Sequence, residues 1–140
     1  MGDPKNQILK LCRGQVLYAL ATVTEQGKPW VRYMMGAMDK NLVIRMCTSA
    51  RSRKVEQLRK HPDVHLTCGV ASLETADQYL QIEARAEVST DKAERRGFWS
   101  EPLHQYFSGP DDPDYAVLVI RPTRIELMGM TSGTPQIWTA

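Results

Sequence analysis

Apolar and polar residues alternate along much of this chain with the period of a strand rather than a helix. Val64, Leu66 and Cys68 alternate with His65 and Thr67, as a half-buried strand does. Val16 to Thr24 is rich in apolar and β-branched residues and is followed by a turn at Glu25-Gln26-Gly27-Lys28-Pro29. Trp30 to Met35 resumes a strand, and Asp39-Lys40-Asn41 turns into another that runs from Leu42 to Cys47. Gln78 to Val88 predicts a further strand, and Tyr115 to Ile120 predicts one in an unbroken apolar run. Pro122 weakens the continuation of that run, so Ile125 to Met128 is expected to extend it at a sheet edge.

Helical periodicity is confined to short segments. Asp3-Pro4 followed by Ile8, Leu9, Leu11 and Cys12 predicts a short amphipathic helix ending near Gly14. A second helix follows Ser52 and stops before Pro62, because a residue preceding proline avoids the helical region. Asp91 to Trp99 predicts a third, capped by Thr90 or Asp91, and Pro102 to Phe107 adds a helical turn or two. Ser108 to Asp114 is a surface loop. About six strands joined mostly as hairpins predict a mainly β fold, a small antiparallel barrel with a few helices.

The length of 140 residues suits a single domain, 1–140, large enough to bury a real core. A net charge of +2 is too small to point to nucleic acid or a membrane surface. No apolar run approaches a membrane span, and the polar start lacks the centre of a signal peptide. Cys12, Cys47 and Cys68 are odd in number and widely spaced, which argues against a disulfide framework and for a cytoplasmic protein.

Chemistry concentrates in Thr48-Ser49-Ala50-Arg51-Ser52-Arg53-Lys54, at a strand-to-helix junction. Outward-pointing backbone N–H groups, the helix dipole and the charge-assisted bonds of Arg and Lys are what a phosphate needs there. On local chemistry alone, a solvated helix face is the commoner explanation of Arg51, Arg53, Lys54, Arg59 and Lys60. Arg32, inside an apolar strand, either snorkels at a barrel mouth or meets an anion. His61 and His65 are spaced for a helical metal pair, but Pro62 between them defeats it. No metal site, Ser–His–Asp set, close carboxylate pair or Gly-rich nucleotide loop is expected, so any redox chemistry falls to a cofactor.

Set in order, these residues resemble the flavin-mononucleotide (FMN) site of the pyridoxamine 5′-phosphate oxidase-like split-barrel proteins. The resemblance rests on Ala21-Thr22-Val23 before the Gly27 turn, the strand from Arg32 to Ala37, Thr48 through Val55, and Asp111-Asp112-Pro113-Asp114-Tyr115 followed by Arg124-Ile125-Glu126. The last group is more similar to the small general-stress-protein branch than to the vitamin-making oxidase. The resemblance implies a six-stranded antiparallel split β-barrel, homodimeric, with FMN at the subunit interface. It places Arg53, Lys54 and Arg32 at the flavin phosphate, with Thr48 and Ser52 as donors beside it. Tyr33, Met34 and Met35 would line the ring through their backbone, and Cys47 abuts the phosphate loop as a buried, inert thiol.

The implied function is that of a flavin-dependent oxidoreductase acting on an unassigned small-molecule redox partner, with unassigned catalytic residues. The oxidase continues into a substrate-binding segment, whereas this sequence stops at Ala140, so pyridoxamine phosphate oxidation itself is not expected. The rival readings are a flavin carrier or stress-linked protein without turnover, and a split barrel holding a deazaflavin or haem.

Overall fold

The computed structural model describes residues 3–74, 77–129 and 133–140. Its strands are β1 (Gln15–Val23), β2 (Pro29–Met38), β3 (Ile44–Ser49), β4 (Asp63–Cys68), β5 (Gln78–Ser89), β6 (Tyr115–Gly129) and β7 (Gln136–Thr139). The helices are α1 (Lys5–Leu11), α2 (Arg53–Lys60) and α3 (Lys92–Phe98), with a 3₁₀ turn at Glu101–Gln105. All strand pairs are antiparallel in the order β3-β2-β1-β4-β5-β6-β7. A ladder from Ile44↔Ile120 to Ser49↔Tyr115 joins β3 to β6 and closes the first six into a barrel.

Alternation fills that barrel. Tyr18 and Leu20 of β1, Ile44 and Met46 of β3, Leu66 of β4, Ile82 of β5 and Leu118 and Ile120 of β6 all point inward and are fully buried. The unbroken apolar run of β6 has a second cause. Its alternate residues Tyr115, Val117 and Val119 face outward into a smaller cluster with Phe107, roofed by Phe98, Trp99 and Leu103. A strand buried on both faces loses the polar half of its pattern.

Two features differ from the sequence expectation. The segment Ile125–Leu127 is not an edge: it lies between β5 and β7, the latter a four-residue strand that sequence reading missed. Pro122 does not interrupt β6 either. The register shifts between Glu83 and Ala84, so that Ala84 faces Pro122, Glu83 faces Arg124, and Thr123 is the extra residue of a bulge. A bulge is where a strand tolerates a proline, which has no N–H to give the ladder.

The ladder between β2 and β3 is only two pairs long, Ala37↔Arg45 and Met38↔Ile44. Beyond it β3 turns away to pair with β6, while β2 stays on β1 along its whole length. This divergence splits the barrel wall. It leaves the edge of β2 from Trp30 to Gly36, on the side away from β1, without a strand partner among the described residues.

Candidate functional site

The helix α2 begins where β3 ends, and the loop between them is tied down from outside. Asp114, just before β6, accepts the single Ser49 hydroxyl proton between its two oxygens, at 2.7 and 2.9 Å, and a bond from Arg51 Nε at 3.1 Å. Its carbonyl takes the Ala50 N–H at 2.7 Å. Ser49 and Arg51 hold the Asp114 carboxyl below the usual carboxylate range. Arg51 therefore serves the loop, not a ligand. Ser52 is the N-cap of α2 with an extended backbone and makes no side-chain capping bond.

Within this frame the cations converge. Lys54 Nζ donates to Thr48 Oγ1 at 2.7 Å and to Ser52 Oγ at 3.4 Å, and the two hydroxyls are 3.3 Å apart. Thr48 faces inward on β3 and is buried. Arg32, inward on β2, donates through Nη1 to the Leu20 carbonyl at 3.2 Å and to Thr22 Oγ1 at 2.7 Å, and through Nη2 to Gln57 Oε1 at 3.4 Å. The Thr22 hydroxyl itself donates to Gln57 Oε1 at 2.7 Å. Arg53 is exposed at the rim, beside Trp30, Glu56 and Gln57 in an open pocket of about 430 Å³.

Two of these cations, Arg32 and Lys54, are partly withdrawn from water beside other positive charge. Burial, and then the charge of Arg32, pulls the Lys54 ammonium below the usual lysine range. Burial and then Arg53 do the same to Arg32. None of the three forms an ion pair among the described residues, although nine such pairs engage other cations of the chain. Half-buried cations such as Arg32 and Lys54 are unfavourable without an ion-pair partner unless an anion joins them, whereas the exposed Arg53 shares its pocket with Glu25 and Glu56. The residues present fit a phosphate.

The other predicted residues are divided by the alternation of the strands. Met34 packs on the barrel core, whereas Tyr33 and Met35 are exposed on the outer face. Cys47 also faces outward, against the second cluster, and burial pushes its thiol up. Met35, Gly36 and Cys47 line a pocket of about 260 Å³ with Phe98, Leu103 and Tyr106, at the cleft where β2 and β3 part. Arg32, Thr48, Ser52 and Lys54 therefore lie together, with Arg53 at their rim and the β2 edge beside them.

Sequence reading missed Thr22 and Gln57, which orient Arg32. A signal was present for each. Thr22 is a hydroxyl at an inward position in register with Tyr18 and Leu20, and Gln57 lies three residues after Lys54, on the same helical face. Among the described residues no cluster of His, Cys, Asp or Glu suits a metal ion, and His104 pairs with Glu101 at 3.4 Å.

A six-stranded antiparallel barrel, split between β2 and β3, defines the class. The chain belongs to the pyridoxamine 5′-phosphate oxidase family, whose pattern residues 5–129 match. It is 32% identical over 133 residues to General stress protein 26 of Bacillus subtilis, covering 95% of this chain and 94% of that one. The crystal structure of General Stress Protein 26 from Bacillus anthracis superposes with a TM-score of 0.82 at 25% identity, covering 97% of this chain and 98% of that one. A heme binding protein from Mycobacterium smegmatis shares the fold at a TM-score of 0.79 and 19% identity, over 99% of this chain and 59% of that one.

Proposed function

We propose that this chain binds FMN as a homodimer and works as a flavin-dependent oxidoreductase on a small-molecule redox partner. The observation that carries the reading is the set of three cations, Arg32, Arg53 and Lys54, with no carboxylate partner among the described residues, at the mouth of the β2–β3 cleft. The phosphate would be held by Lys54, Arg32 and Arg53, with the Thr48 and Ser52 hydroxyls beside it. The unpartnered edge of β2 at Tyr33 to Met35 would offer backbone N–H and C=O groups to the polar rim of the ring. Cys47 lines the far wall of the cleft. Bound FMN supplies hydride and single-electron transfer, and the protein contributes position and electrostatics.

Arg53→Ala combined with Lys54→Ala should weaken FMN binding by at least about 100-fold, since charge-assisted bonds contribute roughly 1.5–3 kcal/mol each. Circular dichroism should show the fold retained. An unchanged FMN titration would refute the assigned phosphate site.

One observation favours a second reading, a flavin carrier without turnover. The pocket at the β2–β3 cleft has no Asp, Glu, His, Lys or Arg in its wall to act as acid or base. Anaerobic reduction by nicotinamide donors, followed by reoxidation with candidate acceptors, separates the two. A haem or deazaflavin in place of FMN would show at once in the native absorbance spectrum.

A further inference from the structure

Away from the cation cluster, the barrel encloses a pair of thiols. Cys12 caps the end of α1 and Cys68 ends β4, 56 positions later, yet their Sγ atoms lie 3.8 Å apart. They are 2% and 6% exposed, and both belong to the barrel core. The hydroxyl of Tyr18, buried in β1, adjoins Cys12 and has no other hydrogen-bond partner among the described residues. A buried cysteine is ordinarily an inert filler. These two differ because they face each other from separate elements, with an otherwise unpartnered phenol beside them that can donate to a thiolate.

We propose that Cys12 and Cys68 are an oxidisable dithiol that closes to a disulfide at the expense of a hydroperoxide, fastening α1 to β4. In the first step the Cys12 sulfur attacks a peroxide oxygen. An S–O bond forms, the O–O bond breaks, and the departing hydroxide leaves as water with the thiol proton. In the second step the Cys68 sulfur attacks the sulfenic sulfur of Cys12. The S–S bond forms, the S–O bond breaks, and the second hydroxide leaves with the Cys68 proton. Two thiols and one hydrogen peroxide thus become one disulfide and two waters.

The Tyr18 hydroxyl beside Cys12 favours Cys12 as the attacking sulfur. The Cys68 thiol, opposed by burial and aided by the Tyr18 hydroxyl, holds Cys12 below the usual thiol range. Cys68 is pushed up by the same pairing and by burial, which suits the resolving role. Closing the gap from 3.8 Å to a bond of about 2.05 Å needs movement on one side. The seven-residue α1 supplies it: only Ile8 of the helix and its cap Cys12 are fully seated in the core, and so short a helix is marginal by itself. An open pocket of about 250 Å³ lies between Gln78 and Leu11, the residue before Cys12, on the side where α1 would move. Cys47, on the outer face of β3 in the second cluster, stands outside this arrangement.

The test treats the full chain with hydrogen peroxide, blocks remaining thiols and maps peptides without reductant. The expected product is a Cys12–Cys68 linked peptide, about 2 Da lighter than its two free parts, with Cys47 recovered as a blocked thiol. The melting temperature should rise by about 5 °C or more and return on reduction, because a long loop has been closed in the unfolded chain. Cys12→Ala and Cys68→Ala should each lose both effects. Peptides carrying Cys12 and Cys68 unlinked after peroxide, whether as free thiols or separately oxidised acids, would overturn the proposal. Peptide mapping of the unsubstituted protein decides this even if a variant fails to fold.

Discussion

Lys54 shows how one side chain can report on a whole site. Its ammonium is depressed below the usual lysine range by burial first and Arg32 second. The unfolded chain therefore binds more protons than the folded one between that depressed value and the ordinary 10.5, and stability rises with pH across this window. In thermal melts of ligand-free protein, Lys54→Met should remove that increment relative to the unsubstituted chain. Saturating inorganic phosphate should remove it as well, by pairing the ammonium. A wild-type melting curve parallel to that of the variant would show that Lys54 is not held in a cation cluster. Thr48, Ser52, Arg53 and Lys54 were legible in sequence as one strand-to-helix junction, whereas Arg32 joined them only through the family resemblance. Thr22 and Gln57 were not, since their part lies in a bond to Arg32 across two elements.

Among the elements, β2 matters most, because it carries Arg32 inward, an apolar face outward and an unpartnered edge toward the cleft. Its path there depends on Gly36. A Cβ at that position would meet Met46 Cγ and the Tyr18 ring, each at 3.1 Å. Both neighbours are fully buried and have little room to yield. Gly36→Ala should therefore cost about 1–3 kcal/mol in urea unfolding, the range of overpacked cores. A variant as stable as the parent would mean that the β2 edge is free to shift. The elements also mark where sequence reading stopped. Strands β1, β4 and β5 and the apolar half of β6 were legible from alternation or from an unbroken run. The four-residue β7 was not, because pairing with β6 alone defines it and its residues are at most half-buried. Pro122 misled in the opposite direction, since a bulge at Thr123, invisible in composition, absorbs it.

At the scale of the molecule, the outer face of β1 and β2 is an apolar surface on an otherwise well-covered barrel. Leu17 sits opposite Met35, Ala19 opposite Tyr33 and Ala21 opposite Val31, and Leu17, Val31, Tyr33 and Met35 are each more than half exposed. Such a contiguous patch calls for a partner, and the proposed homodimer supplies one beside the cleft. Tyr33→Glu should convert a dimer to a monomer in sedimentation velocity and weaken FMN binding by about 10-fold or more, as a buried charge would. A wild-type chain that sediments as a monomer would remove the dimer from the account while leaving the cation cluster intact.

Flavin binding by the unsubstituted protein is the property on which every cofactor-site assignment depends, and a fluorescence titration with FMN measures it most directly. The prediction is saturable quenching at one flavin per chain, with the bound flavin travelling with the protein through gel filtration. A colourless protein that leaves added FMN fluorescent and free would contradict it.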